Sequence, residues 1–121
     1  MAELRIEGDQ LLVELSRLEK LEAVHRNVTV SLADVICARA VDNPWTELRG
    51  VRAPGTGIPR IISVGTRRGA FGKDFAVVHG AGRAVVVECN DQAPYHRLVV
   101  TIADADAVAN RIHAARIGTA H

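Results

Sequence analysis

The apolar residues of this chain come in short, β-branched runs, and most of the polar gaps between them are only a few residues long. That rhythm excludes a parallel α/β sheet, because every parallel crossover needs about a dozen or more residues. Leu4 and Ile6 alternate with Glu3, Arg5 and Glu7, and Gly8-Asp9 supplies turn chemistry before Leu11-Leu12-Val13-Glu14-Leu15, which predicts a hairpin. Val28-Thr29-Val30-Ser31-Leu32 and Val35 to Val41 predict two further strands, separated at Ala33-Asp34. Ile61 to Thr66 and Asp74 to Val78 read as a second hairpin across the glycine-containing link Arg67 to Lys73. Ala84 to Cys89 and His96 to Ile102 complete the set, each preceded by turn residues.

Two segments carry a helical period. Ser16-Arg17-Leu18-Glu19 fits a capping box, in which the Ser16 hydroxyl accepts from the Glu19 amide and the Glu19 carboxylate reaches back. A short helix is expected there, with Leu18, Leu21 and Val24 on its buried stripe and Glu19, Lys20 and Glu22 in water. Near the C-terminus Asp104 is a good N-cap, Val108, Ile112 and Ala115 recur on one face, and Gly118 supplies a stop after about three turns. The expected fold is mainly β (α+β), a single domain over residues 1–121. Its antiparallel strands, about seven to eight of them, curl into a partial barrel closed by the C-terminal helix, with one short helix near the N-terminus.

Asp42 to Arg60 is different in kind. It holds three of the four prolines and three of the ten glycines and shows no sustained period, so it reads as a long loop of the sort that compact domains keep for function.

Composition narrows the function classes. The formal net charge is +1, so no global field drives the chain onto nucleic acid or an anionic membrane. Trp45, Phe71, Phe75 and Tyr95 are the only aromatics, and no basic stripe interleaves with them, which speaks against nucleic-acid binding. The first residues lack the apolar core of a signal peptide, and no apolar stretch approaches the roughly 18 residues that span a bilayer. Cys37 and Cys89 lie far apart in apolar runs, which suits a reducing, cytoplasmic setting with both thiols as small hydrophobes; a disulfide stays open if their strands are adjacent. No closely spaced ligand pairs point to a metal, and neither Gly55-Thr56-Gly57 nor Gly65-Thr66-Arg67-Arg68-Gly69 fits a nucleotide-binding loop, so no cofactor is expected.

Pro44-Trp45, Gly50, Pro54-Gly55, Ile58-Pro59 and Gly65, followed by the "DFAVV", "VVVEC" and "RLVVTIAD" runs and the Asp104-Ala105-Asp106 helix start, resemble the bacterial pleckstrin-homology-like (PH-like) domains. The likeness covers most of the chain. It implies two antiparallel sheets capped by a C-terminal helix, and a binding or assembly module rather than a particular ligand. Many such domains adjoin transmembrane helices, which this sequence lacks, and the helix from Ser16 to Val24 is an insertion relative to the plain pattern.

Asp42 to Lys73 carries Arg49, Arg52, Arg60, Arg67, Arg68 and Lys73 against Asp42 and Glu47, a local charge of +4 in a chain whose remainder is −3. Guanidinium forks beside glycine-rich backbone suit phosphate or carboxylate, so Arg49, Arg52, Arg67, Arg68 and Lys73 form a candidate anion site. The plainer reading is a solvated basic loop. Trp45 and Phe71 are candidate interface anchors, although the favoured reading of Trp45 is a lid on the core where the loop leaves the sheet.

The histidines, His25, His79, His96, His113 and His121, sit in no nucleophile or metal-binding motif, and no catalytic residue is assigned. The sequence therefore reads as a non-enzymatic binding or assembly module that contacts a protein partner or an anionic small ligand through Pro44 to Lys73, while exposed strand edges or the terminal helix permit homo-oligomerisation. The alternatives are a small enzyme whose site is assembled across strands, with His79, His96 or Arg67 as nominal candidates, and a weak binder of anionic lipid or phosphate through Arg67, Arg68 and Lys73.

Overall fold

The computed structural model describes residues 2–23, 27–58 and 61–119, with side chains throughout except at 21–23, 51–56 and 117–119. The strands are β1 (Glu3–Glu7), β2 (Gln10–Glu14), β3 (Val28–Ser31), β4 (Val35–Val41), β5 (Val51–Ile58), β6 (Ile62–Gly69), β7 (Gly72–His79), β8 (Ala84–Cys89) and β9 (Arg97–Thr101). Helix α1 (Arg17–Ala23) follows β2, helix α2 (Ala105–Thr119) follows β9, and 3-10 turns occupy Leu32–Asp34 and Pro44–Glu47.

These strands build two sheets, a small one in the order β1-β2-β3 and a large one in the order β4-β8-β9-β7-β6-β5. The expected mainly antiparallel β fold with a short early helix and a C-terminal helix is present, but the expected partial barrel is not. The 3-10 turn at Leu32–Asp34 carries the chain from one sheet to the other, and β4 and β5 end the large sheet unpaired on their outer sides among the described residues. One pairing departs from the antiparallel rule. After β7 the chain skips a position to lay down β8, and β9 returns into the gap, antiparallel to β8 and parallel to β7.

The predicted long loop also needs correction, because eight of its residues form β5. Pro54 and two glycines hide the strand's alternation. They are tolerated because β5 is an edge strand and because its register against β6 shifts between Arg52 and Gly55, where a bulge removes the need for a regular ladder.

Helix α1 forms with the expected capping box: Ser16 Oγ accepts from the Glu19 amide at 3.2 Å, and Glu19 Oε1 accepts from the Ser16 amide at 2.9 Å. Lys20 is exposed as expected, but Leu18 and Glu19 have exchanged places. Glu19 is 2% exposed and Leu18 is 64% exposed. The carboxylate that turns back to cap the helix is also held by the Ala2 amide (3.1 Å) and His79 Nε2 (2.9 Å), so its charge is satisfied inside and Leu18 is rotated outward. Leu21 and Val24, the rest of the expected stripe, lie outside the described side chains. Helix α2 is 15 residues long, about four turns, and runs through Gly118 instead of stopping there; an interior glycine weakens a helix without ending it.

The large sheet is covered on both faces. On one face Val64, Phe75, Val77, Val85, Val87, Leu98 and Val100 meet the small sheet and Ala105, Val108, Ala109 and Ile112 of α2 in a continuous core. On the other, Ala76, Val78, Ala84, Val86 and Val99 are covered by Val41, Trp45 and Leu48. Cys37 and Cys89 lie on adjacent strands as free thiols. The register slips at Ile36, so Cys37 stands opposite Glu88 while Cys89 belongs to the core on the far face. That placement disfavours a disulfide without backbone rearrangement, and burial pushes the Cys89 thiol up to about 12.

Candidate functional site

The segment from Asn43 to Gly50 lies as a strap across the second face of the large sheet. Asn43 caps its 3-10 turn, with Oδ1 accepting from the Trp45 amide at 3.2 Å. Trp45 then anchors it: the half-buried indole packs on the apolar end of the face, and Nε1 donates to the Gly80 carbonyl at 2.8 Å. Beyond Leu48 the surface beneath the strap changes from apolar to ionic.

Cross-strand register explains the change. Arg67 on β6 stands opposite Asp74 on β7, Asp74 opposite Arg97 on β9, and Arg97 opposite Glu88 on β8. The result is a row of alternating charge across four strands, in which each neighbour has the opposite sign. Arg97 grips Glu88 with Nε to Oε1 at 2.8 Å and Nη2 to Oε2 at 3.1 Å, the two-pronged geometry in which guanidinium binds carboxylate best. Arg39 extends the row from β4, reaching Glu88 at 3.2 Å and Glu47 of the strap at 2.6 Å.

The strap is bolted to this row at three points. Arg97 Nη1 donates to the Glu47 carbonyl at 2.9 Å; Arg49 holds Asp74 through Nε (2.6 Å) and Nη2 (3.1 Å); Arg67 donates to the carbonyls of Arg49 (3.0 Å) and Gly50 (2.9 Å). Burial alone would raise the Glu88 carboxyl, but its hydrogen bonds and charge contacts with Arg97 and then Arg39 outweigh that and hold it below the ordinary range. The bond to Asp74 raises Arg49 despite partial burial.

The predicted site residues therefore separate. Arg49 and Arg67 serve the strap. Phe71 is half-buried under the Arg49 guanidinium, 4.1 Å from the ring centroid, and its edge fills the space where a Cβ at Gly69 would stand. Gly50, with φ at 76°, leaves room for the Arg68 carbonyl, which a side chain there would strike. Lys73 lies 5.0 Å from the Tyr95 ring centroid, and exposed Arg68 stands directly opposite it at the end of the β6–β7 hairpin. Arg52 stands opposite Arg67 in register, with its side chain outside the described residues, as is Arg60.

Asp74, Glu88, Arg97 and Arg39 escaped sequence reasoning. A signal was present: "DFAVV", "VVVEC" and "RLVV" are apolar on both faces, so a charge at their ends must find a partner. The histidines do not converge. His79 pairs with buried Glu19 at one end of β7, whereas His96, bonded to Asp91 at 3.1 Å, abuts Gly72 at the other, about 23 Å away by strand rise. His113 is half-buried on α2, and His25 and His121 lie outside the described residues. Among the described residues no group of three His, Cys, Asp or Glu is placed to hold a metal, and no helix is long and apolar enough to cross a membrane.

Comparison with protein-family models, curated proteins and solved structures gives no significant match.

Proposed function

We propose that this chain is a non-enzymatic binding module of the PH-like kind, whose contact surface is the strapped end of the large sheet between Pro44 and Lys73. Its ligand is an anionic group, carboxylate or phosphate, presented by a protein partner or a small molecule. The two mostly antiparallel sheets with a closing C-terminal helix are consistent with that family.

The observation that carries the reading is the direct cross-strand pairing of Arg68 with Lys73. Two cations side by side on one face of a sheet can grip a single anion between them. Arg67, one residue away on β6, turns by strand alternation to the strap face, where the carbonyls of Arg49 and Gly50 hold its guanidinium.

The enzyme alternative has two histidine–carboxylate contacts, His79–Glu19 and His96–Asp91, which stand at opposite ends of β7. Glu19 spends its remaining contacts on the Ala2 and Ser16 amides, which is the work of a capping and anchoring carboxylate.

Amide NMR titration with inorganic pyrophosphate tests the proposal. Shifts concentrated at residues 66–74 and abolished by Arg68→Ala with Lys73→Ala are expected; shifts elsewhere, or none, contradict it.

A further inference from the structure

The far side of the molecule carries a different kind of surface. β1 pairs with β2 on one side, and among the described residues nothing pairs with the other. The two-residue turn Gly8-Asp9 makes Glu7 and Gln10 a hydrogen-bonded pair, so by alternation Leu4 and Ile6 turn their amides and carbonyls toward the open edge. Along that edge, between β1 and α2, runs a groove of about 560 Å³ lined by Leu4, Arg5, Asp104, Val108 and Arg111, continued by a recess of about 270 Å³ toward Ile6 and Ile112. Glu3, Asp104 and Arg111 make no ion pair among the described residues.

We infer that a second copy of this chain occupies the edge, β1 pairing antiparallel with β1 about a two-fold axis at Leu4. The sequence of the strand selects both occupant and register. Pairings that set inward residues against outward ones are excluded by the pleat. A two-fold at Arg5 sets Arg5 against Arg5 and Glu3 against Glu7 twice over, three like-charged pairs in contact. A two-fold at Ile6 offers Arg5 to Glu7, which its own chain already supplies at 3.4 Å.

A two-fold at Leu4 sets Glu3 against Arg5 of the other copy, a cation that its own Glu7 and Glu14 already contact, and gives the unpaired carboxylate a share in it. It also lines up Ala2, Leu4 and Ile6 as one apolar row and covers partly exposed Ile6, the Ala2 amide staying with Glu19 and its carbonyl facing Ile6 of the other copy. The helix agrees with the strand. Asp104 flanks the Glu3 end of the groove, where the second copy brings Arg5, and Arg111 flanks the Arg5 end, where it brings Glu3. Such an interface is isologous and closes at the dimer.

Sedimentation equilibrium of the full chain is the test. The wild type sediments as a dimer, and Glu3→Arg, which alters a side chain without a partner in the single chain, weakens association about tenfold or more by turning two attractive pairs repulsive. In a Cys37→Ser background, mixed Glu3→Cys and Arg5→Cys chains cross-link to each other, while Glu3→Cys alone does not. A monomeric wild type overturns the inference, as does a dimer indifferent to Glu3→Arg or cross-linked equally well by Glu3→Cys alone. Because β1 lies outside the Pro44 to Lys73 surface, pyrophosphate shifts at residues 66–74 in Glu3→Arg report on the anion site separately.

Discussion

The two faces of the large sheet solve the same burial problem by different means. Toward α2 and the small sheet the face is apolar from Val64 to Cys89, and its packing is non-directional. Under the strap only one end is apolar; the other is a row of alternating charges whose geometry is set by distance and angle. The first face holds the fold together. The second fixes where a peripheral segment lies, which is what a surface intended for recognition requires.

Substitutions that remove one means at a time sharpen this contrast. Phe75→Ala on the apolar face, where the ring is fully buried against Tyr95, costs about 3–5 kcal/mol in denaturant unfolding. Asp74→Asn on the ionic face costs less, about 2 kcal/mol, because the Arg49 charge left behind is partly exposed and regains water. Unlike Phe75→Ala, it speeds hydrogen exchange in the strap selectively.

Both sides of the sheet respond to acid in the same direction, each through one carboxylate. Glu19 and Glu88 have folded-state pKa values below the ordinary carboxylate value of 4.5: burial opposes the shift in both, but bonds to Ser16 and His79 in one and to Arg97 and Arg39 in the other outweigh it. Their stabilisation is complete above the unfolded value and is lost as pH falls through the lower folded values. Denaturant midpoints therefore drop below about pH 4.5, and Glu19→Gln flattens that drop, leaving the Glu88 contribution. The smallest effect belongs to Trp45→Phe, which keeps the apolar cover and loses the bond to Gly80, about 1 kcal/mol by the same unfolding measurement.

The apolar face was legible in the sequence because period and β-branching report it directly. The first hairpin, the Ser16–Glu19 capping box and α2 all followed from local pattern. The ionic face was hidden, since Asp74, Glu88 and Arg97 become neighbours only when β9 enters between β7 and β8, an order that chain sequence does not reveal. β5 was hidden by Pro54 and its glycines, and the exchange of Leu18 and Glu19 on α1 by a buried carboxylate whose partners, Ala2 and His79, are remote in sequence.

Thermal unfolding of the wild type and Arg68→Glu, each with and without inorganic pyrophosphate, tests the central claim most directly. Pyrophosphate should raise the wild-type midpoint but not that of Arg68→Glu. A wild-type midpoint that pyrophosphate leaves unmoved, or an equal rise in both proteins, would contradict the assignment of this surface.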